Sequence, residues 1–365
     1  MAKLRLGLLF GGRSVEHEVS LSSATSILRA LDPTRYDVTL ISVGHDGRWR
    51  LGAPSLPAPA EQAEGREVRL PAAPNGGSLV PVGGTELGAS GDLDLIFPII
   101  HGRGGEDGSL QGLLELADVP YVGSGVLGSA LQMDKETAKR LLHAAGLPVT
   151  PWLCVRSREL TRDSERVAQR ALDALSLPLF VKPANSGSSI GITRVAAADE
   201  LIPALREAAR YDDKLLIERG VDARELEVAV LGGDPLEASV PGEIRTGRDF
   251  YDYEAKYVDE DTELIVPAEL TEEQIAEIRR LAVEAVAVLE GEGLGRVDFL
   301  MERSTGKFYI NEVNSLPGFT ESSMYPRLWE ASGLSYPALL ERLIELALER
   351  HSVRSKLETL FRSGT

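Results

Sequence analysis

The apolar residues of the chain first gather in "LRLGLLF" at 4–10. A glycine pair follows, and then "GGRSVEHEVSLSSATSILRAL", with apolar positions at helical spacing. A short apolar run bounded by glycine predicts a buried strand, and the three-to-four-residue spacing behind it predicts an amphipathic helix. "YDVTLISVG" and "DLDLIFPIIHG" predict two more strands, and "SLQGLLELADVPYVG" a helix followed by a fourth. Strands alternating with helices argue for an α/β unit with a largely parallel sheet. Residues 53–91 interrupt it: rich in Pro and Gly and weakly periodic, they predict an insertion with a hairpin.

"SALQMDKETAKRLLHAAGLP" predicts one helix stopped by Gly146 and Pro148. Strands follow at "TPWLCV", "LPLFVKP", "SIGITRV" and "KLLIERGV", with a helix near 197–210. Further on, "ELEVAVLG" and "LEASVPGEI" lead into a charged loop, then the long helix "TEEQIAEIRRLAVEAVAVLEG". Two strands joined by a Ser-Thr-Gly turn, "GRVDFLMERSTGKFYINEVN", and a last helix, "YPALLERLIELALERH", close the chain. The pattern divides into units near 1–123, 124–218 and 219–365.

Composition narrows the function classes. A net charge of −17 argues against a nucleic-acid or anionic-membrane partner. No apolar run approaches the roughly 18–20 residues of a membrane span. The single cysteine, Cys154, excludes an intrachain disulfide and points to a reducing, cytoplasmic setting. Positive charge is mostly arginine, so each of the eight lysines that stands beside glycine or proline draws attention.

The most informative segment is "FYINEVNSLPGFT" at 308–320. Glu312 and Asn314 stand two apart on a strand, hence on one face and roughly 6–7 Å from each other. On the preceding strand Arg296 and Asp298 are also two apart. Asp298, Glu312 and Asn314 are three hard oxygen donors without His or Cys, a set that suits Mg²⁺ rather than zinc. "FVKPANSGSSIGI" at 180–192 puts Lys182 at a strand end before a Gly/Ser loop whose N–H and hydroxyl groups can cover phosphates. It is not a Walker A loop. "GSGVLG" at 123–128 matches G-x-G-x-x-G but opens no clean βαβ unit, and "HEVSL" departs from the zinc motif at Leu21. His101 ends a strand in the glycine-dense "IIHGRGGEDGSLQG", and "RTGRDFYDYEAKY" is a long aromatic loop of the kind that serves as a lid.

The ordered segments "GGRSVEHEVSL", "HGRGGEDGSLQG", "MDKETAK", "VKPANSGSSIG", "IERGVDARELEV", "YDYEAKY", "GRVDF" and "NEVNSLPGFTESSMYP" resemble the D-alanine–D-alanine ligases of the ATP-grasp superfamily. The likeness covers nearly the whole chain outside 53–91. It implies a three-domain ATP-grasp fold, α/β in the N-terminal unit and α+β in the ATP-binding half. The implied reaction is ATP-dependent ligation of two D-alanines through a D-alanyl phosphate, for peptidoglycan precursor synthesis. By position, ATP would be held by Lys135, Lys182, Glu218, Arg219, the backbone near Val221, Glu225 and Lys256. Two Mg²⁺ ions, or Mn²⁺, would bind Asp298, Glu312 and Asn314. Glu16 would take the first D-alanine's ammonium in a network with Ser188 and Tyr257, with Val19 and His101 alongside. Arg296 and the Gly318 N–H would form the oxyanion hole. Ser323 and Met324 would receive the second carboxylate. Loops 184–190 and 243–260 would be lids, and the enzyme a cytoplasmic homodimer. A D-alanine–D-lactate ligase on the same scaffold is the alternative; "DYEAKY" with Tyr257 favours dipeptide formation.

Overall fold

The computed structural model describes residues 2–52, 65–74, 76–83, 87, 91–245 and 263–358. Its first unit runs β1 (Leu4–Gly11), α1 (His17–Ala30), β2 (Tyr36–Val43), β3 (Trp49–Leu51), β4 (Arg66–Arg69), β5 (Val80–Pro81), β6 (Leu95–Ile99) and α2 (Ser109–Leu116). The sheet order is β5-β4-β3-β2-β1-β6. β1 pairs in parallel with β2 and β6, the arrangement that helical crossovers impose. β3, β4 and β5 add an antiparallel edge, so the 53–91 segment extends the sheet. The strand expected at "VPYVG" is reduced to a bridge between Tyr121 and Ile96. Pro120 has no N–H to offer, and Gly123 turns the chain away with φ of +103°.

The single helix expected over 129–148 is two, α3 (Val126–Met133) and α4 (Lys135–Ala144). Asp134 leaves helical geometry between them and caps α4, accepting from Thr137 N at 2.9 Å. A side chain that satisfies an orphan N–H favours a fresh helix start over continuation. Next come β7 (Trp152–Arg156), α5 (Ser157–Arg162), α6 (Ser164–Ala174), β8 (Leu179–Pro183), β9 (Thr193–Val195), α7 (Leu201–Ala208) and β10 (Lys214–Arg219). They form an antiparallel sheet, β7-β10-β8-β9, over its own core of Val155, Val181, Leu205 and Ile217.

The last unit holds β11 (Ala223–Gly232), β12 (Leu236–Arg245), β13 (Glu263–Ile265), α8 (Glu272–Val288), β14 (Gly293–Glu302), β15 (Phe308–Asn314), α9 (Met324–Ala331) and α10 (Tyr336–Arg354). Its antiparallel sheet, β13-β12-β11-β14-β15, is covered on one side by α8 and α4, against Val297, Phe299 and Val313. On the other side Tyr325, Trp329 and Leu340 of α9 and α10 join one core with Leu6, Phe97 and Ile27 of the first unit. The N-terminal and five-stranded sheets are thus welded through shared helices, while the four-stranded sheet packs on itself.

Candidate active site

The hairpin β14–β15 sets the centre of the site. Its register pairs Arg296 with Asn314 and Asp298 with Glu312, bringing all four side chains to one face. The register then slips: Phe299 opposes Ile310, which leaves Asn311 as a bulge residue. Strict alternation would turn Asn311 away from Glu312; the bulge lets both face the same cavity. Arg296 forks onto Asp298 at 2.6 and 2.7 Å, and its Nε lies 3.0 Å from Glu227, across on β11. Burial opposes the guanidinium's charge, but Asp298 and Glu227 together hold its pKa well above the ordinary value. Lys135, at the start of α4, reaches Glu312 at 2.9 Å and the Ser186 carbonyl at 2.8 Å.

Among the described residues no three His, Cys, Asp or Glu form a metal-holding group. The oxygen set here has an amide as its third member, so it escapes that pattern. Both carboxylates, Asp298 and Glu312, are neutralised by a neighbouring cation. Two adjacent carboxylates and an amide oxygen fit a hard divalent ion that would take over that neutralisation.

The cavity between the four- and five-stranded sheets measures about 510 Å³ and is lined by Phe180, Lys182, Glu218, Val221, Glu225 and Leu300 among others. Lys182 donates to Glu218 Oε2 at 2.9 Å and to Asn311 Oδ1 at 3.1 Å. Behind Glu218 lies Lys139, whose Nζ is 3.5 Å from Oε1 and donates to Thr150 Oγ1 at 2.9 Å. Burial pushes the Glu218 carboxyl up, but the ammoniums of Lys139 and Lys182 outweigh it and hold the group below its usual value. Arg219 caps the edge of the cavity, its guanidinium 5.8 Å from the Tyr309 ring and 3.3 Å from the hydroxyl.

A second cavity of about 510 Å³ opens on the other side of Lys135, toward the N-terminal unit. Lys135, Ser186, Gly187, Ser188 and Glu312 line both, so the two are continuous. Glu16, just ahead of α1, accepts a hydrogen bond from Ser188. Its carboxylate is gripped by two glycines: a Cβ on Gly102 or Gly187 would stand 2.6 or 2.8 Å from Oε2. Ser188 and Ser189 adopt φ of +48° and +57°, strain that a loop holds only when its contacts over-determine it. Val19, one turn into α1, lines the same cavity.

His101 bridges this pocket to the turn after β15. Its Nδ1–H donates to the Leu316 carbonyl at 3.0 Å, so Nε2, 3.1 Å from Ser23 Oγ, is the acceptor. Burial lowers its pKa against the pull of Glu16, keeping the ring neutral. Ser23 in turn accepts from Phe319 N, which fixes the backbone next to Gly318. Ser323 stands at the N-cap position of α9, its hydroxyl turned to Thr320, and Met324 is the helix's first residue; the helix N-terminus faces the cavity and suits a carboxylate.

Most of the expected site residues therefore border one continuous cavity. Lys256 and Tyr257 lie outside the described residues, as does most of the 243–260 loop. Sequence reasoning passed over four contributors. Glu106 sits in the glycine loop after His101, accepts from Gly102 N at 2.6 Å, and is pushed up to about 8 by burial and the charge of Glu16. Glu227, two residues beyond Glu225, shares its strand face, a signal that was present in the spacing. Asn311 needed the bulge. Lys139 stands four residues after Lys135, on the same side of α4.

A family model described as "D-ala D-ala ligase N-terminus" matches residues 5–124, and one described as "D-ala D-ala ligase C-terminus" matches residues 141–345. The chain belongs to the D-alanine–D-alanine ligase family. The family's D-alanine–D-alanine ligase A from Bradyrhizobium diazoefficiens is 48% identical, over 98% of both chains. A D-alanine–D-alanine ligase from Thermoanaerobacter is 47% identical over 98% of this chain and 99% of its own. Among solved structures, the D-alanine–D-alanine ligase of Coxiella burnetii has a TM-score of 0.84 at 37% identity, covering 98% of this chain and 97% of that one. A D-Ala:D-Ser ligase from Enterococcus faecalis has 0.82 at 32%, covering 95% and 100%. The three-domain ATP-grasp architecture expected of the ligase family accounts for the mixed sheets described above.

Proposed function

We infer that the protein joins two D-alanines at the expense of ATP, through a D-alanyl phosphate, as an ATP-dependent carboxylate–amine ligase of peptidoglycan precursor synthesis. The observation that carries this reading is the continuity of the two cavities through Lys135, Ser186–Ser188 and Glu312. A nucleotide in the first, held at its base by Glu218 and the Val221 backbone, at its ribose by Glu225, and at its edge by Arg219, would bring its γ-phosphate to Lys135 and Lys182. A first D-alanine with its ammonium on Glu16 would then present its carboxylate to that phosphate.

Carboxylate attack on a triphosphate is anion meeting anion, so the two lysines lower the barrier by neutralising charge. Divalent ions held by Asp298, Glu312 and Asn314 would supply further neutralisation of the phosphates. The acyl phosphate must be kept from water, a task for the loop 184–190 closed on Glu16. The second D-alanine seats its carboxylate at Ser323 and the start of α9; its amine, having lost a proton, attacks the acyl carbon, and the acyl C–O bond breaks to expel inorganic phosphate. Arg296 and the Gly318 N–H stabilise the oxyanion, with His101 holding the turn through Ser23 and Leu316.

The relatives at 44–48% identity bear the dipeptide ligase name, which favours D-alanine over D-lactate as second substrate. Among the described residues no helix is long and apolar enough to cross a membrane. The assembly is read as a cytoplasmic homodimer, each chain divided near 1–123, 124–218 and 219–365; α3 and α4, within the middle span, pack on the five-stranded sheet. The test is phosphate release from ATP and Mg²⁺ with D-alanine, D-lactate, L-alanine or no amino acid. Release coupled one-to-one to D-alanyl-D-alanine is expected; release with D-alanine only when D-lactate is added would overturn the reading.

A further inference from the structure

We propose that Lys139, buried behind the nucleotide cavity, keeps Glu218 an oriented anion and thereby sets the preference for an amino-bearing purine over an oxo-bearing one. The inference rests on the reading of Glu218 as the contact to the nucleotide base.

Lys139 is 1% exposed and does not line the cavity. A buried ammonium costs more than an apolar side chain of the same length unless its partner needs the charge. That partner is Glu218, itself 3% exposed. Lys139 Nζ stands 3.5 Å from Oε1 and donates to Thr150 Oγ1, which lies 3.5 Å from Oε2. On the cavity side, Lys182 occupies Oε2 at 2.9 Å.

The two ammoniums differ in what a nucleotide does to them. Lys182 faces the cavity, and phosphate oxygens compete for it strongly. Were it the sole partner, its departure would strand a buried carboxylate, which would take up a proton. Lys139 has no path to the ligand and stays. An ionised Glu218 is an acceptor only, so it takes a hydrogen bond from the exocyclic amine of adenine and repels the O6 of guanine. A protonated Glu218 could donate to O6 and lose that distinction. The other groups in its field are Lys135, on α4, and Glu312, on β15, which acts on both α4 lysines.

The experiment compares Lys139→Met, Glu218→Gln and the double variant in steady-state kinetics with ATP and GTP. For Lys139→Met, the KM for ATP should rise by about tenfold, the worth of one charge-assisted hydrogen bond, with kcat within about twofold. The ATP-over-GTP ratio of kcat/KM should fall by a similar factor. Its KM for ATP should also fall with rising pH, as Glu218 regains its charge, while the native KM stays level. In the Glu218→Gln background, Lys139→Met should change neither KM nor the nucleotide ratio, a comparison that holds even if the single Lys139 variant folds poorly. Additive losses there, or a native KM, ratio and pH profile in Lys139→Met, overturn the proposal. An unchanged KM in Glu218→Gln overturns instead the base-contact reading beneath it.

Discussion

Ser188 donates a hydrogen bond to Glu16, tying the loop after β8 to the first helix of the N-terminal unit. The bond closes the site over the place where the acyl phosphate would form, and Gly102 and Gly187 make room for it. Ser188→Ala removes the hydroxyl that donates to Glu16. A hydrogen bond to a charged group contributes about 1.5–3 kcal/mol, so kcat/KM for D-alanine should fall by roughly ten- to a hundredfold. Uncoupled phosphate release should rise as the loop opens. Tight coupling with native kcat/KM would show that the loop closes without Glu16.

Glu106 gives the protein a pH dependence of stability with a definite sign. Its folded pKa, raised to about 8, lies above the ordinary 4.5, so the folded state binds the extra proton. The resulting stabilisation is present below about pH 4.5 and is lost as pH rises through 8. Glu106→Gln keeps the hydrogen-bonding shape without the charge. It should be more stable than the native protein at pH 8.5, by on the order of 5 kcal/mol, and converge with it near pH 5. Parallel melting curves across that range would place the proton elsewhere.

Glu312→Gln should leave the fold intact and cut turnover at ordinary Mg²⁺ by at least about a hundredfold, since it removes a carboxylate that serves both Lys135 and the implied ion. Circular dichroism and activity on one sample separate the two effects. Near-native turnover in a folded variant would dismiss the metal-ligand role.

Tyr325 tests how α9 is held on the five-stranded sheet. It is fully buried, and its hydroxyl donates to the Val230 carbonyl at 2.9 Å. Tyr325→Phe should cost about 1–2 kcal/mol in denaturant unfolding while kcat changes little. A loss in kcat with unchanged stability would instead mean that α9 is tuned for catalysis.

What could be read in advance follows from what fixes a side chain's direction. On β14 and β15 two-residue alternation alone put Arg296, Asp298, Glu312 and Asn314 on one face, because a strand leaves no other choice. The bulge at Asn311 left no compositional mark: it arises where Phe299 and Ile310 pair early to fill the core. The break at Asp134 was legible as a capping residue, yet the apolar spacing runs through it and predicts one helix. Lys139 was visible by its spacing from Lys135, but whether a lysine turns into a core depends on a partner from another strand, here Glu218. Glu106 stood in plain sight within "HGRGGEDG". Its burial is a tertiary fact that no local pattern encodes.

The self-contained core of the four-stranded sheet determines where the enzyme can bend. Because α9 and α10 lock the other two sheets together, a rotation of the four-stranded layer would hinge on the strips that enter and leave it, near 145–151 and 220–222. Val221 lies in the second strip and lines the cavity between the sheets, while Thr150, in the first, is buried behind it against Lys139 and Glu218. The adenine base, at Val221, would therefore rest near that pivot, where displacement is least, while the 184–190 loop at the far end would swing widest. Nucleotide grip and substrate admission would then be mechanically separate: the protein would open to exchange D-alanine while keeping hold of ATP.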